Sequence, residues 1–248
     1  MKRITFILAA LGLTQMNAQV TVLNGASFRT DQPVAAGSWA TAFGAFTGVA
    51  NAQATAVPLP KTLGGVTVTV DGMEAPLYFV SATQMNFLIP GAATAGLKDV
   101  QIRTAGATVN GKVRVVTTGP GLFTKDNTIS PPRGAVLNQD SAENTQNTPA
   151  RRGQVVQLFG TGPGALSATV ADGANAPAAT LVNTRSTPQV YIGGVPATVQ
   201  FSGLAPNLIG LWQVNAFVPE RPFLAGRVPV RVYMDGVDSN EVSIFVAQ

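Results

Sequence analysis

Gln84-Met-Asn86-Phe-Leu-Ile-Pro90 returns 129 residues later as Gln213-Val-Asn215-Ala-Phe-Val-Pro219, and both copies read Q-x-N-x-x-(I/V)-P. A motif repeated at a fixed separation marks a duplicated structural unit. The flanking landmarks keep the same order. Thr21-Val-Leu-Asn24 matches Ala135-Val-Leu-Asn138. Pro33, Gly37, Phe43 and Gly44 match Pro149, Gly153, Phe159 and Gly160. Val68-Thr-Val-Asp71-Gly72 matches Val190-Tyr-Ile-Gly193-Gly194. Only the loop lengths change, and the second copy carries an insertion over Ser202 to Leu211 just before Trp212.

Within a unit the local pattern is that of short strands. Val66-Thr-Val-Thr-Val70 alternates apolar and polar residues, which places three valines on one face of a half-buried strand. Asp71-Gly72 follows, a dipeptide suited to the positive φ of a tight hairpin turn. It predicts Ala75 to Val80 as the returning strand. Gln19 to Asn24, Ser38 to Gly44, Lys98 to Arg103 and Val113 to Val116 read as further strands. Ala45 to Pro60, rich in Ala, Thr and Pro, reads as a loop with at most a short edge strand. Helical periodicity is missing. The fold class expected is all-β: two tandem immunoglobulin-like β-sandwich domains related by internal duplication, with about seven strands each. The expected domains are residues 19–118 and 119–248, joined near Thr117-Thr-Gly-Pro-Gly121. The polar stretch Thr124 to Thr148 looks like a linker, but its strand-like Ala135 to Asn138 assigns it to the second domain.

Composition narrows the function classes. Among 248 residues, 46% are hydrophobic and 11% charged, so there is ample core material and little surface charge. Lys2 and Arg3 precede an apolar run, Ile4 to Leu13, which is too short to span a bilayer and the right length for a signal-peptide core. Residues 1–18 are therefore expected to be a signal peptide cleaved after Ala18, and the chain exported to the periplasm, cell surface or medium. No transmembrane segment is expected after cleavage. Nucleic-acid binding is not expected, because the net charge is only +4 and no basic cluster is longer than Arg151-Arg152. The chain has neither Cys nor His. This rules out disulfides, Cys/His zinc sites and the usual Ser-His-Asp or Cys-His nucleophiles. No cofactor, metal site or catalytic residue is assigned.

The ordered motifs P-V-A-A-G-S (33–38), P-L-P-K-T-L-G-G-V-T-V-T-V-D-G (58–72), Q-M-N-F-L-I-P (84–90), P-G-L-F-T (120–124), F-G-T-G-P-G (159–164), I-G-G-V-P-A (192–197), G-L-W-Q-V-N (210–215) and S-N-E-V (239–242) resemble an uncharacterised C-terminal domain family. That family is found in exported proteins of Acidobacteria such as Solibacter. The units also resemble the immunoglobulin-like modules called IPT/TIG domains. The resemblance implies fold and export. It supplies no activity, since the family has none established.

Several residues could carry binding. Gln84 and Asn86, like Gln213 and Asn215, lie two apart in a strand and so share one face. The structural reading is that these amides tie down a neighbouring loop, with Pro90 and Pro219 ending each strand; amides also bind sugars. Trp39, Tyr78, Tyr191, Trp212 and Tyr233 are candidate sugar-stacking residues against a packing reading for each, with Trp212 the best candidate and Asn207 in the insertion that would hold it at a domain end. Tyr78 lies in an apolar strand and reads as core. Asp235, Asp238, Asn240 and Glu241 are the only local acidic cluster, conceivable as a weak calcium site although their spacing does not match a helix-loop-helix calcium loop. Gly160-Thr-Gly-Pro-Gly164 lacks the Lys-Ser/Thr of a phosphate loop and reads as turns. The function expected is a non-enzymatic structural or adhesion-like interaction module whose partner is an extracellular protein or glycan. The alternative is a carbohydrate-binding module using exposed aromatics. A third reading, an extracellular hydrolase, needs a cleft with two convergent carboxylates.

Overall fold

The computed structural model describes residues 20–248. The expected signal peptide and Gln19 lie outside the described residues. Among the described residues all regular structure is β, and no helix is long and apolar enough to cross a membrane.

Residues 20–116 build one continuous sheet folded over a single core. Its strands are β1 (Val20–Asn24), β2 (Val34–Ala35), β3 (Trp39–Phe43), β4 (Ala52–Gln53), β5 (Thr62–Leu63), β6 (Val66–Val70), β7 (Met73–Glu74), β8 (Leu77–Val80), β9 (Gln84–Leu88), β10 (Gly96–Arg103) and β11 (Thr108–Val116). The order is β4-β8-β9-β3-β1-β11-β10-β6-β5, with β2 on β11 and β7 on β6. β1 joins the two layers: it runs antiparallel to β3 and parallel to β11. Val66, Val68 and Val70 are buried as their alternation requires, facing Ala40, Ala42, Met85 and Phe87 from the other layer. Fully burying each such valine stabilises by about 1.5–3 kcal/mol.

One expected strand is corrected. Asp71 (φ 53) and Gly72 (φ 80) do make the tight turn, but the strand that returns is the two-residue β7. The chain then crosses at Ala75-Pro76, and β8 joins the opposite layer beside β4 and β9. This crossover is what gives each unit two layers rather than a flat meander.

Residues 121–246 repeat this arrangement as two separate sheets. The strands are β12 (Gly121–Leu122), β13 (Thr124–Asp126), β14 (Arg133–Gly134), β15 (Val136–Asn138), β16 (Val155–Thr161), β17 (Gln189–Ile192), β18 (Val195–Ala197), β19 (Val199–Leu204), β20 (Trp212–Phe217), β21 (Gly226–Met234), β22 (Val237–Asp238) and β23 (Val242–Val246). One layer orders β12-β16-β20-β19 with β15 on β16; the other orders β13-β14-β23-β21-β17-β18 with β22 on β21. The neighbour relations β3-β9-β8 and β11-β10-β6 recur as β16-β20-β19 and β23-β21-β17. Both halves are immunoglobulin-like sandwiches by strand order. The polar stretch after Thr124 carries the short strands β13, β14 and β15, which pair within this half. β14 and β15 divide the work that β1 does alone. The chain changes layers at Gly134, where a side chain would strike Val242 at 2.9 Å.

Two buried asparagines fasten the entry loops. The Asn24 amide donates to the carbonyls of Pro33 (3.2 Å) and Gly119 (3.1 Å), and its oxygen accepts from the Ala26 amide. Asn138 donates to the Thr148 carbonyl (2.8 Å) at the matching place. Both are buried. Replacing Asn24 by Ala strands one buried carbonyl, one part-buried carbonyl and a buried amide, a loss of about 1–3 kcal/mol. Urea unfolding should show a lower midpoint with an unchanged slope. A second check concerns Arg133, whose guanidinium bonds Glu143 at 2.6 Å and holds that carboxyl below the usual carboxylate range. The depressed value means this contact stabilises the fold above the ordinary carboxylate pKa, and the contribution is lost as pH falls through the folded value. In a carbon-13 NMR titration Glu143 should titrate low, and Arg133→Gln should move it upward.

Candidate functional site

The repeated amides lie on the outward face of the β3-β9-β8 layer and its counterpart. Gln84 Nε2 donates to Asn86 Oδ1 at 2.8 Å, and Gln213 Nε2 donates to Asn215 Oδ1 at 2.8 Å. Cross-strand neighbours complete each row. In the first half Leu23, Thr41, Asn86 and Phe79 stand side by side; in the second half the row is Leu137, Gln157, Asn215 and Phe201. Thr41 Oγ1 bonds Asn86 Oδ1 at 3.1 Å, and Gln213 Nε2 reaches Gln157 Oε1 at 3.5 Å. These are cross-strand side-chain pairs on a sheet face. They bond one another rather than a loop, which corrects the loop-fastening role expected for Gln84, Asn86, Gln213 and Asn215. Asn24 and Asn138 hold that role instead. Pro90 and Pro219 sit just beyond the ends of β9 and β20, as expected of residues without an N–H to donate.

The two tryptophans have different fates. Trp212 has 0% exposure, packs in the second core, and donates its indole N–H to Ser202 Oγ at 3.0 Å. It offers no ring face to a ligand, so its expected stacking role is withdrawn. The inward-facing places on β20 go to Trp212, Val214 and Ala216, leaving Gln213 and Asn215 outside. Trp39 is only partly buried. Its backbone N–H donates to Thr161 Oγ1 (2.8 Å) and its indole N–H to the Ile209 carbonyl (3.1 Å). Both partners belong to the second half of the chain.

The insertion before Trp212 is therefore a clamp. Asn207 holds a left-handed turn (φ 62), a conformation asparagine tolerates, and its N–H bonds the Ala176 carbonyl. Ile209 packs into a small cluster with Trp39, Leu59 and Leu88 of the first half. A side chain at Gly210 would come within 2.8 Å of Leu88. The long β16–β17 connection adds further contacts. Both carboxylate oxygens of Asp172 accept from the Gly91 N–H (3.0 and 3.1 Å), and the Gly173 carbonyl accepts from Leu59 (2.8 Å). Gly160-Thr-Gly-Pro-Gly164 lies against the 117–121 segment, with Gly162 and Gly164 at positive φ. At Gly162 a β-carbon would fall 1.9 Å from the Gly119 carbonyl oxygen, so this seam closes only without one.

The acidic cluster does not converge. Asp235 accepts from Thr118 (3.1 Å), Asp238 pairs with Arg231 (3.3 Å), and Asn240 spends both ends of its amide on Leu122. Among the described residues no group of three or more Asp or Glu side chains gathers.

Tyr78 departs from the core placement expected of it. A register shift between Leu77 and Phe79 turns it outward, 38% exposed, where an apolar strand promised core. Its ring meets Trp39 edge-to-face at 5.7 Å and 73°, and Gln53 Nε2 donates to its hydroxyl at 3.0 Å. Together with Gly25, Thr41, Asn86 and Phe123, these two rings enclose a pocket of about 200 Å³. Phe123 comes from the second half, so the pocket exists only with the seam closed. The alternation of residues in Ala75 to Val80 contains no signal for the bulge.

No protein-family model matches the chain, and no curated protein matches it. Among solved structures it is similar to the plexin A4 full extracellular region (14% identity, TM-score 0.29), covering 94% of this chain and 16% of that one. It is similar to Bacteroides ovatus mixed-linkage glucan utilization locus SGBP-B in complex with a mixed-linkage heptasaccharide (11% identity, TM-score 0.37), covering 92% of this chain and 45% of that one. It is also similar to domains 5–6 of the S-layer protein SbsC (18% identity, TM-score 0.28), covering 92% and 96%. The chain thus spans less than half of the first two. At these scores the immunoglobulin-like assignment rests on the strand order itself.

The two tryptophans allow a direct check of the placement. In Trp39→Phe the remaining emission, from Trp212, should be blue-shifted and resistant to acrylamide. In Trp212→Phe the remaining Trp39 emission should be redder and quenchable.

Proposed function

We propose that this chain is an exported, non-catalytic interaction module of two immunoglobulin-like domains, residues 19–118 and 119–248, which meets an extracellular partner on the outer sheet face of the first domain. One observation carries this reading: the Tyr78–Trp39–Asn86 pocket is held rigid by hydrogen bonds from both halves of the chain, yet stands open on a sheet face. A surface whose side chains are already fixed loses little entropy on binding. Aromatic residues with a polar handle are also the types favoured at interfaces. The likeness of the motifs to C-terminal domains of exported proteins supports the address, as does the Lys2 to Ala18 pattern.

A carbohydrate platform built on Trp39 and Trp212 does not survive the interior placement of Trp212. A glycan partner for this module must use Tyr78 instead.

Two measurements bear on the reading. The secreted protein should begin at Gln19, by intact mass; a mature chain that retains residues 1–18 removes the export claim. A photo-crosslinking residue placed at position 78 should capture a surface component, whereas one at Tyr191, on β17 of the second half, should not. Equal capture at both positions would count against a specialised face.

A further inference from the structure

The following rests on the reading of that face as a binding surface. We infer that the pocket between Tyr78, Trp39 and Asn86 is a subsite for one ring of a neutral saccharide chain.

Charge selects the class. None of the residues lining the pocket carries a carboxylate, ammonium or guanidinium. The flanking outward positions, Phe43, Phe79, Gln53 and Gln84, are also uncharged. Nothing there would compensate an ionised ligand, and burying an unpaired charge is costly. The ligand is therefore neutral.

Hydrogen-bonding capacity selects further. Asn86 Oδ1 is used twice, by Gln84 and Thr41, which fixes the orientation of the amide. Among the described residues its Nδ2 donates to no protein group, so both hydrogens remain for a ligand. Gln84 donates to Asn86 through its own nitrogen and leaves Oε1 free in the same way. A free donor pair beside a free acceptor suits hydroxyl groups, which both donate and accept. The exposed Tyr78 ring supplies an apolar face for the C–H side of a sugar ring, and the Gln53 bond keeps that ring in place.

Size sets the extent. About 200 Å³ is smaller than the roughly 300–1,000 Å³ of pockets that enclose a drug-sized ligand. It has room for one ring, with the rest of the chain passing over the open sheet. The two aromatic rings lie edge-to-face rather than coplanar, so the site grips a single chain and does not suit a flat crystalline surface. The second half cannot form a twin. Its amide pair is present, but Val155 and Gln200 stand where Trp39 and Tyr78 would be.

The test uses the chain from Gln19 to Gln248 in native gels containing soluble xylan, glucomannan, β-glucan or dextran, with polygalacturonate as the charged control. At least one neutral polysaccharide should retard migration, and titration with its oligosaccharide should change Trp39 emission. Tyr78→Ala and Asn86→Ala should each weaken binding by about tenfold or more, as expected for loss of an anchor residue. Tyr191→Ala should bind as the wild type, and unchanged thermal melting would show that the variants fold. Retardation by polygalacturonate alone, or equal retardation of Tyr78→Ala, overturns the inference. If no polysaccharide binds while a crosslinker at position 78 captures a protein, the saccharide assignment falls and the interaction reading stands. If neither binds, both fall.

Discussion

The close approach of Gly162 to the Gly119 carbonyl is the contact on which the rest of this structure depends. Backbone meets backbone there, at a place where a β-carbon would lie 1.9 Å from an oxygen. The Gly119 N–H completes the contact by donating to the Gly162 carbonyl at 3.1 Å. Gly119 belongs to the joining segment, and on its other side a β-carbon would lie 2.8 Å from the Pro33 carbonyl oxygen of the first half, so this segment is packed main chain against main chain between the two halves. Gly121 and Gly164 reinforce this, each with room for no more than a hydrogen beside Asn24 and Thr118.

From that seam the candidate site follows. With the halves held together, Thr161 and Ile209 reach Trp39, and Phe123 closes one wall of the pocket. Trp39 is thus a joint residue whose outer edge also serves the surface. The insertion that distinguishes the second half is spent on the same joint, through Ile209 and Gly210. A segment that breaks the symmetry of a repeat invites a functional reading, and here the asymmetry lets one unit fasten the other.

The repeated rows Leu23-Thr41-Asn86-Phe79 and Leu137-Gln157-Asn215-Phe201 show how one pattern serves two ends. On both faces the amides bond one another at one end and cover apolar neighbours without charge. The first face adds Tyr78 and Trp39, and with them the pocket. The shared pattern is structural, and the difference lies in two aromatic side chains.

Sequence by itself determined the alternation within the longer strands and the tight turns. These depend on a period of two and on local φ, as at Asp71-Gly72 and Asp235-Gly236. The sequence could not say which asparagines fasten loops, because Asn24 and Asn86 differ only in whether a loop or a neighbouring strand comes within reach. It gave no sign that Tyr78 turns outward, since a bulge depends on the partner strand's register. Nor could it separate Trp39 from Trp212. Trp212 lies inside because its strand faces its own core, whereas Trp39 lies at the seam because a distant segment arrives there. Those outcomes belong to the tertiary structure, which alone decides what residues far apart in the chain will meet.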